Sequence, residues 1–294
     1  RRLGDPELRL TACQIAFVST GRADTAEDRL ALAEESIDLA RQIHDDAALT
    51  AALTVRAVVA AELGDVETME VLATEARRRA EQNRQLYPLV VLDSLEVPWL
   101  AMRGEWEQAQ RLTDHLAATG QKMALAQYTD AVAGAILSIG TWQKRYAELL
   151  PLMVEREAES GLAISPAVAT LLVRLGRLDE AREYVSAHPF DLATDTWYSM
   201  LAWALSAEVA LALGDRDLGR DTYALLAPYA GRSCSAGSGV AVGPVDAFLA
   251  LAAAAGGERD LAARHADAAL KLCEAWRIPL AAQWLRDQRE TYGF

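Results

Sequence analysis

Two carboxylates in an apolar stretch are the residues of this chain whose types and spacing best suit chemistry. Asp93 and Glu96 lie in the predicted helix 87–103, surrounded by valines and leucines. Because they are three residues apart, they share roughly one helix face. In an apolar groove, such a pair is a candidate for catalysis on a hydrophobic small molecule. The alternative is structural, with salt bridges joining neighbouring repeats, for instance Arg56 with Asp93.

Other charged residues interrupt apolar helices in the same way. Arg56, Asp130 and Asp246 each stand in an alanine-rich or valine-rich stretch that we predict to be the first helix of a helix pair. In helical-repeat proteins the first helices line the concave surface, so these groups are candidates for binding a ligand there. The alternative is that they join repeat to repeat by salt bridges.

Aromatic residues give a second set of candidates. Six of them fall on predicted first helices: Tyr87, Trp99, Tyr128, Trp197, Tyr198 and Trp203. They either pack between repeats or line a cavity, since an apolar groove with a few convergent polar groups is the usual form of a ligand site. The residues predicted to bind a ligand or partner are Arg56, Tyr87, Asp93, Glu96, Gln127, Tyr128, Trp197, Tyr198 and Asp246.

Motifs for catalysis and cofactor binding are otherwise missing from the sequence. There is no G-x-x-x-x-G-K-[ST] or G-x-S-x-G, and the glycines at 237, 239 and 243 match a dinucleotide fingerprint poorly. The four histidines fall in four different repeats, which argues against a zinc site. Cys234 is predicted to be the most exposed thiol, with Arg232 as its one cationic neighbour. We therefore expect no cofactor, no metal and no catalytic residue.

Regularly spaced glycines indicate the elements that position these side chains. Gly21, Gly64, Gly104, Gly140, Gly176, Gly214 and Gly256 follow one another at intervals of 36 to 43 residues. Most separate an apolar stretch from an amphipathic one, which is typical of a repeated helical hairpin. Gly64 and Gly214 are each followed by aspartate, so we predict a left-handed turn residue and then a helix N-cap.

The fold predicted from this pattern is all-α. We expect one α-solenoid over residues 1–294, a right-handed superhelical stack of about seven helix-turn-helix repeats similar to tetratricopeptide repeats. The predicted repeats are 6–43, 47–82, 87–119, 124–159, 166–187, 194–229 and 244–276, followed by a closing helix at 279–291. The glycine- and serine-rich segment 231–243 is predicted to be the longest irregular loop.

Charge and composition exclude several classes of function. The 294-residue chain has a formal net charge of −13 and is 52% hydrophobic. An acidic segment of this kind is a poor candidate for direct nucleic-acid binding, because nucleic acids attract basic surfaces. No apolar run is long enough to span a membrane. Three unclustered cysteines fit a reducing compartment, so we expect a cytoplasmic protein. The start at Arg1, within what looks like a repeat, suggests a piece of a larger protein.

The C-terminal stretch resembles a known family. Residues 225–229 (LLAPY), Gly231, residues 240–245 (VAVGPV), His265 and residues 268–270 (AAL) resemble the C-terminal helical-repeat region of large bacterial transcriptional regulators. These are LuxR-type and related activators, in which an ATPase module precedes a tetratricopeptide-like array. The resemblance implies a sensor or interaction role. The array would bind a small-molecule inducer, a partner protein or the protein's own ATPase core.

Three functions follow from these observations. The first is a non-catalytic sensing and interaction domain of a cytoplasmic bacterial transcriptional regulator. The second is a free-standing repeat protein that binds a peptide or protein on its concave face. The third is an enzyme that acts on a hydrophobic small molecule through Asp93, Glu96 and the aromatic residues. The oligomeric state does not follow from the sequence.

Overall fold

The chain is all-α in the computed structural model, which describes residues 4–124, 128–160, 164–193 and 196–294. These ranges contain fifteen α-helices and one two-stranded sheet. The helices are α1 (Pro6–Ser19), α2 (Ala26–Gln42), α3 (Asp46–Leu63), α4 (Val66–Gln82), α5 (Leu86–Arg103), α6 (Trp106–Lys122), α7 (Tyr128–Trp142), α8 (Tyr146–Ser160), α9 (Ser165–Arg174), α10 (Leu178–Ala187), α11 (Ser199–Leu213), α12 (Arg216–Leu226), α13 (Val245–Gly256), α14 (Arg259–Ala275) and α15 (Pro279–Tyr292). The strands are β1 (Ser233–Ala236) and β2 (Val240–Pro244).

Glycine followed by aspartate ends one helix and begins the next, as predicted. Gly64 and Gly214 adopt left-handed conformations, with φ of 81° and 73°, and each accounts for the turn within a helix pair. The carboxylates of Asp65 and Asp215 then accept hydrogen bonds from backbone N–H groups in the first turn of α4 and α12. These caps satisfy donors that a helix start leaves without an intrahelical partner.

Three of the predicted turn glycines do not have that role. Gly140 lies inside α7, and the left-handed residue of the α7–α8 turn is Lys144, with φ of 58°. Gly256 is the last residue of α13, and Gly257 takes the left-handed position after it. Gly21 is not left-handed and precedes a short 3-10 turn. The glycine pattern therefore did not give the position of each turn.

The segment predicted to be an irregular loop is a β-hairpin. Strands β1 and β2 pair antiparallel, with a bulge between Ser233 and Ser235. Gly237, with φ of 55°, lies in the turn, and residues of β2 are partly or fully buried. An isolated two-stranded hairpin is marginally stable. This one packs against α3, α5, α7 and α11, so tertiary contacts with the helices stabilise it.

Helix α11 begins later than predicted. We expected a helix from residue 194, but residues 197 and 198 form a turn and α11 begins at Ser199. Residues 194 and 195 lie outside the described residues. Trp197 and Tyr198 therefore belong to the segment that precedes α11 and not to a first helix, which changes where their rings point.

Each helix packs against its neighbour in sequence throughout the described part of the chain. Direct contacts also join the first helices α3 with α5, α5 with α7, α9 with α11, and α11 with α13. Within the described ranges, none of the helices has the combination of length and apolar character that crossing a bilayer requires.

The C-terminal helices return to the N-terminal half. Trp276, which follows α14, lies in one buried apolar cluster with residues of α1 to α5. Its ring meets that of Trp99 edge to face, with centroids 5.7 Å apart. Glu70 of α4 pairs with Arg103 at 2.5 Å and also with Arg277. Packing and charge therefore join α14 and α15 to α4 and α5.

Two glycine variants with the same backbone geometry separate the turn requirement from this packing. Gly214→Ala should lower the free energy of unfolding by about 1 kcal/mol, because alanine is disfavoured at positive φ. Gly64→Ala should cost roughly 1–3 kcal/mol more, since its Cβ would lie 2.8 Å from the Trp276 ring and 2.9 Å from the Gly231 carbonyl oxygen. Chemical denaturation of both variants measures this difference, and equal costs would contradict the Trp276 contact.

Glu70 should stabilise the contact between the halves in a pH-dependent way. Burial raises its pKa, but hydrogen bonds and charge from Arg103 and Arg277 outweigh that effect, so its pKa lies below the ordinary value. The contribution is therefore present above the unfolded pKa of about 4.3 and is lost as pH falls through the folded value. Glu70→Gln should cost about 1 kcal/mol at neutral pH. The difference from the parent should shrink in acid, and a constant difference across pH would contradict this prediction.

Candidate functional site

A cavity of about 400 Å³ lies where the N-terminal helices face the β-hairpin. Helices α1, α2, α3 and α5 form one side, and the hairpin with the segment before α11 forms the other. Its two sides come from parts of the chain that are more than 100 residues apart. The cavity therefore depends on the contacts that join the C-terminal helices to the N-terminal half. A volume of this size lies within the range of small-molecule sites.

Small apolar side chains make most of the helical wall. Ala51 and Val55 of α3 are half-buried at the cavity, and Val91 of α5 lies beside them. Met200 of α11 closes the wall from the opposite side. Because alanine and valine are short, the facing helices leave space between them here.

Aromatic side chains lie at the cavity and remain accessible. Tyr87, at the start of α5, is 59% exposed, and Trp197 is 49% exposed. Phe17 of α1 also lines the cavity. The Trp197 ring lies beside Gly237 in the hairpin turn and meets the Tyr198 ring edge to face, with centroids 5.9 Å apart. These exposed rings offer apolar surface that a ligand can cover.

A buried ion pair forms the polar part of the wall. Arg29 of α2 is 4% exposed and forms a two-pronged salt bridge with Glu62 of α3, one contact being 2.9 Å. Arg29 also donates to the Arg22 carbonyl oxygen at 3.0 Å and lies over the Phe17 ring. Removing one partner of a buried pair typically costs about 3–5 kcal/mol, because the other charge is left without compensation.

A second arginine connects the hairpin to the start of α2. Arg232 donates to the Ala23 carbonyl oxygen at 3.0 Å and forms a salt bridge with Glu27. Its guanidinium lies over the Tyr229 ring, 5.2 Å from the centroid. Beyond Arg232, the hairpin presents Ser233, Ser235 and Ser238 to the cavity. Within the described residues, the buried Ser233 hydroxyl has no hydrogen-bond partner.

Asp246, predicted to bind a ligand, lies at the base of the hairpin. Its carboxylate accepts a hydrogen bond from the Gly231 N–H at 2.6 Å and lies 3.2 Å from His265 Nδ1. His265 Nε2 is 3.1 Å from the Tyr223 hydroxyl. Asp246 is buried and does not line the cavity. It fixes the hairpin through its backbone, so its effect on the cavity is indirect.

The two carboxylates of α5 also lie away from the cavity. Asp93 is fully buried, 2.9 Å from Arg77 and 2.5 Å from His115 Nδ1. Glu96 is 2.9 Å from the same arginine. Burial raises the pKa of Glu96, although the charge of Arg77 opposes that shift. Arg77, and not Arg56, is thus the cation between them, and Glu96 borders a separate, polar surface groove.

The remaining predicted residues are dispersed. Arg56 forms a 3.5 Å salt bridge with Glu34 and does not line the cavity. Tyr198 lines a smaller cavity of about 40 Å³ between α7, α9, α11 and the hairpin. Tyr128 begins α7, but its side chain lies outside what the structure describes, and Gln127 lies outside the described residues.

Cys234, predicted to be an exposed thiol, is fully buried in the hairpin. Burial raises the pKa of its thiol well above the ordinary value, so the reactive thiolate is disfavoured at neutral pH. The prediction failed because a strand packed on helices, and not an open loop, carries the residue. Among the described residues, no group of three or more His, Cys, Asp or Glu is placed to hold a metal ion.

The structure thus brings two of the nine predicted binding residues, Tyr87 and Trp197, to one cavity. Sequence reasoning missed Arg29, Glu62 and the hairpin serines. One signal was available, since Arg29 and Glu62 are 33 residues apart, as are Glu70 and Arg103. Oppositely charged residues at this separation indicate contacts between neighbouring helices.

Comparison with known proteins gives no direct guide to what occupies this cavity. Neither the protein-family models nor the curated proteins include a match to the chain. The proposed function is therefore based on the cavity and the residues around it.

Proposed function

We propose that the chain is the non-catalytic sensing domain of a cytoplasmic bacterial transcriptional regulator, and that a small-molecule inducer binds in the cavity between α1–α3, α5 and the hairpin. The observation that carries this proposal is the cavity itself, with its apolar wall, exposed aromatic rings and few polar groups. Sites for small molecules usually combine these features. The resemblance of the C-terminal stretch to such regulators agrees with this role.

The proposed architecture is a right-handed superhelical stack of about seven tetratricopeptide-like repeats. The sequential packing of the helices and the direct contacts between first helices support it. Ion pairs recur at nearly constant separations along the chain, with 33 residues between Arg29 and Glu62 and 34 between Arg174 and Glu208. A repeated unit places equivalent residues at such separations.

Sensing requires that the ligand favour one conformation over another. The cavity is suited to this, because the hairpin contacts α2 through Arg232 across more than 200 residues of sequence. A ligand between the two sides would add contacts to both and stabilise their association. A partner protein or an ATPase core that contacts another surface of the chain then responds to the change in hairpin position or mobility.

An enzymatic role has less support. Asp93 and Glu96 share Arg77 and do not line the cavity. A carboxylate that acts on a substrate has to reach it, and here both carboxylates form salt bridges with Arg77. Direct binding of nucleic acid by this segment is likewise disfavoured by its net charge of −13.

The proposal predicts that an apolar probe binds in this cavity. N-phenylnaphthylamine, an uncharged dye whose emission rises in apolar surroundings, should bind the full chain and raise its Tm, since a ligand that binds the folded state stabilises it. Val55→Trp should reduce binding at least roughly tenfold by filling the cavity. Val71→Trp is the matched control, because Val71 is an exposed helical valine that does not line the cavity.

Hydrogen exchange tests the sensing part of the proposal. With the dye bound, amides of the hairpin and of the start of α2 should exchange more slowly, because the ligand contacts both sides. Dye binding that is absent, or that survives Val55→Trp unchanged, would remove the cavity as the site. Binding without slower exchange in the hairpin would leave a binding site but remove the sensing mechanism.

A further inference from the structure

We infer that the cavity selects an uncharged, largely apolar ligand and rejects an anion or a cation of the same shape. This inference rests on the proposed function, because it names the chemical class of ligand for the same cavity. The inference is based on the charged side chains of the cavity wall and on their salt-bridge partners.

Four charged residues line the cavity within the described part of the chain: Arg22, Arg29, Glu62 and Arg232. Each has an opposite charge beside it. Arg29 and Glu62 pair with one another, Arg232 pairs with Glu27, and Arg22 lies 3.4 Å from Asp24. Each charged side chain of the wall therefore already has a salt-bridge partner in the protein.

A charged ligand that binds Arg29 or Glu62 competes with the internal partner of that residue. An anion that drew Arg29 away would leave Glu62 with its negative charge in an apolar wall, and a cation at Glu62 would do the same to Arg29. Leaving one member of a buried pair without compensation is costly. The Arg29–Glu62 pair is the strongest obstacle, because the side chain of Arg29 is only 5% exposed and that of Glu62 only 14% exposed.

The desolvation of a charged ligand also disfavours its binding in the cavity. A charge loses its hydration when it enters an apolar cavity, and the loss is recovered only through an opposite charge or several hydrogen bonds. The alanine, valine and aromatic surfaces described above offer neither. An uncharged apolar molecule has no such cost, and it gains free energy from every square ångström of apolar surface that it covers.

Neutral polar groups also line the cavity. Ser235 and Ser238 are half-buried at the cavity, and the buried Ser233 hydroxyl beside them has no hydrogen-bond partner among the described residues. Hydroxyl groups can donate to or accept from a neutral carbonyl or hydroxyl. They fit a ligand with one polar, uncharged end and an apolar body that lies against Val55, Val91 and the aromatic rings.

A pair of dyes tests the inference. N-phenylnaphthylamine and anilinonaphthalene sulfonate share one aromatic skeleton and differ in the anionic sulfonate. Fluorescence titration of the full chain should give at least roughly tenfold weaker binding for the sulfonate dye at the site that Val55→Trp blocks. Equal or tighter binding of the sulfonate dye at that site would overturn the inference and leave the cavity as a binding site. Failure of both dyes to bind would instead overturn the proposed function.

A second variant tests the charge argument directly. Glu62→Gln removes the internal partner of Arg29 while keeping the size of the side chain. Affinity for the sulfonate dye should then rise by about tenfold relative to the neutral dye, because Arg29 gains an anion as its new partner. An unchanged ratio in a folded variant would show that the pair does not set the selectivity. If this variant fails to fold, the comparison of the two dyes on the parent chain still decides the inference.

Discussion

The packing of Trp276 against the N-terminal helices is the contact on which the cavity depends. Helix pairs bury their apolar faces against neighbours, and an open array would leave its two ends apart. Here the ring of Trp276 lies in the apolar cluster of α1 to α5 and meets Trp99 edge to face. This contact brings the C-terminal helices to the first three helix pairs, so the hairpin between α12 and α13 comes to face α2 and α3.

The hairpin then converts a surface between helices into a cavity with two walls. It contacts α3 and α5 on one side and α11 on the other, and Asp246 and Arg232 fix its base and its first strand. Its side chains are small, with serines and glycine toward the cavity. A bulkier segment would fill the space that the short alanine and valine side chains of α3 leave open. Small side chains on both sides of this interface thus leave the cavity open.

Sequence reasoning predicted what depends on local residue pattern. The all-α class, the helix pairs and the caps at Asp65 and Asp215 follow from hydrophobic periodicity and from glycine before aspartate. The turn at Lys144 was missed because a left-handed lysine has no compositional signal, whereas a nearby glycine drew the prediction to Gly140. The hairpin was missed because its strands are short and gain their stability from distant helices.

The site was harder to predict, for a related reason. Tyr87 and Trp197 were chosen for their aromatic character, and both reach the cavity. Arg29 and Glu62 look in the sequence like surface charges of amphipathic helices, and their burial depends on Phe17 and on the hairpin side of the cavity. Asp93 and Glu96 look like a reactive pair because apolar residues surround them, yet both form salt bridges with Arg77 from the neighbouring helix. In each case the salt-bridge partner lies no more than 33 residues away along the chain, so it can be sought by its separation in the sequence.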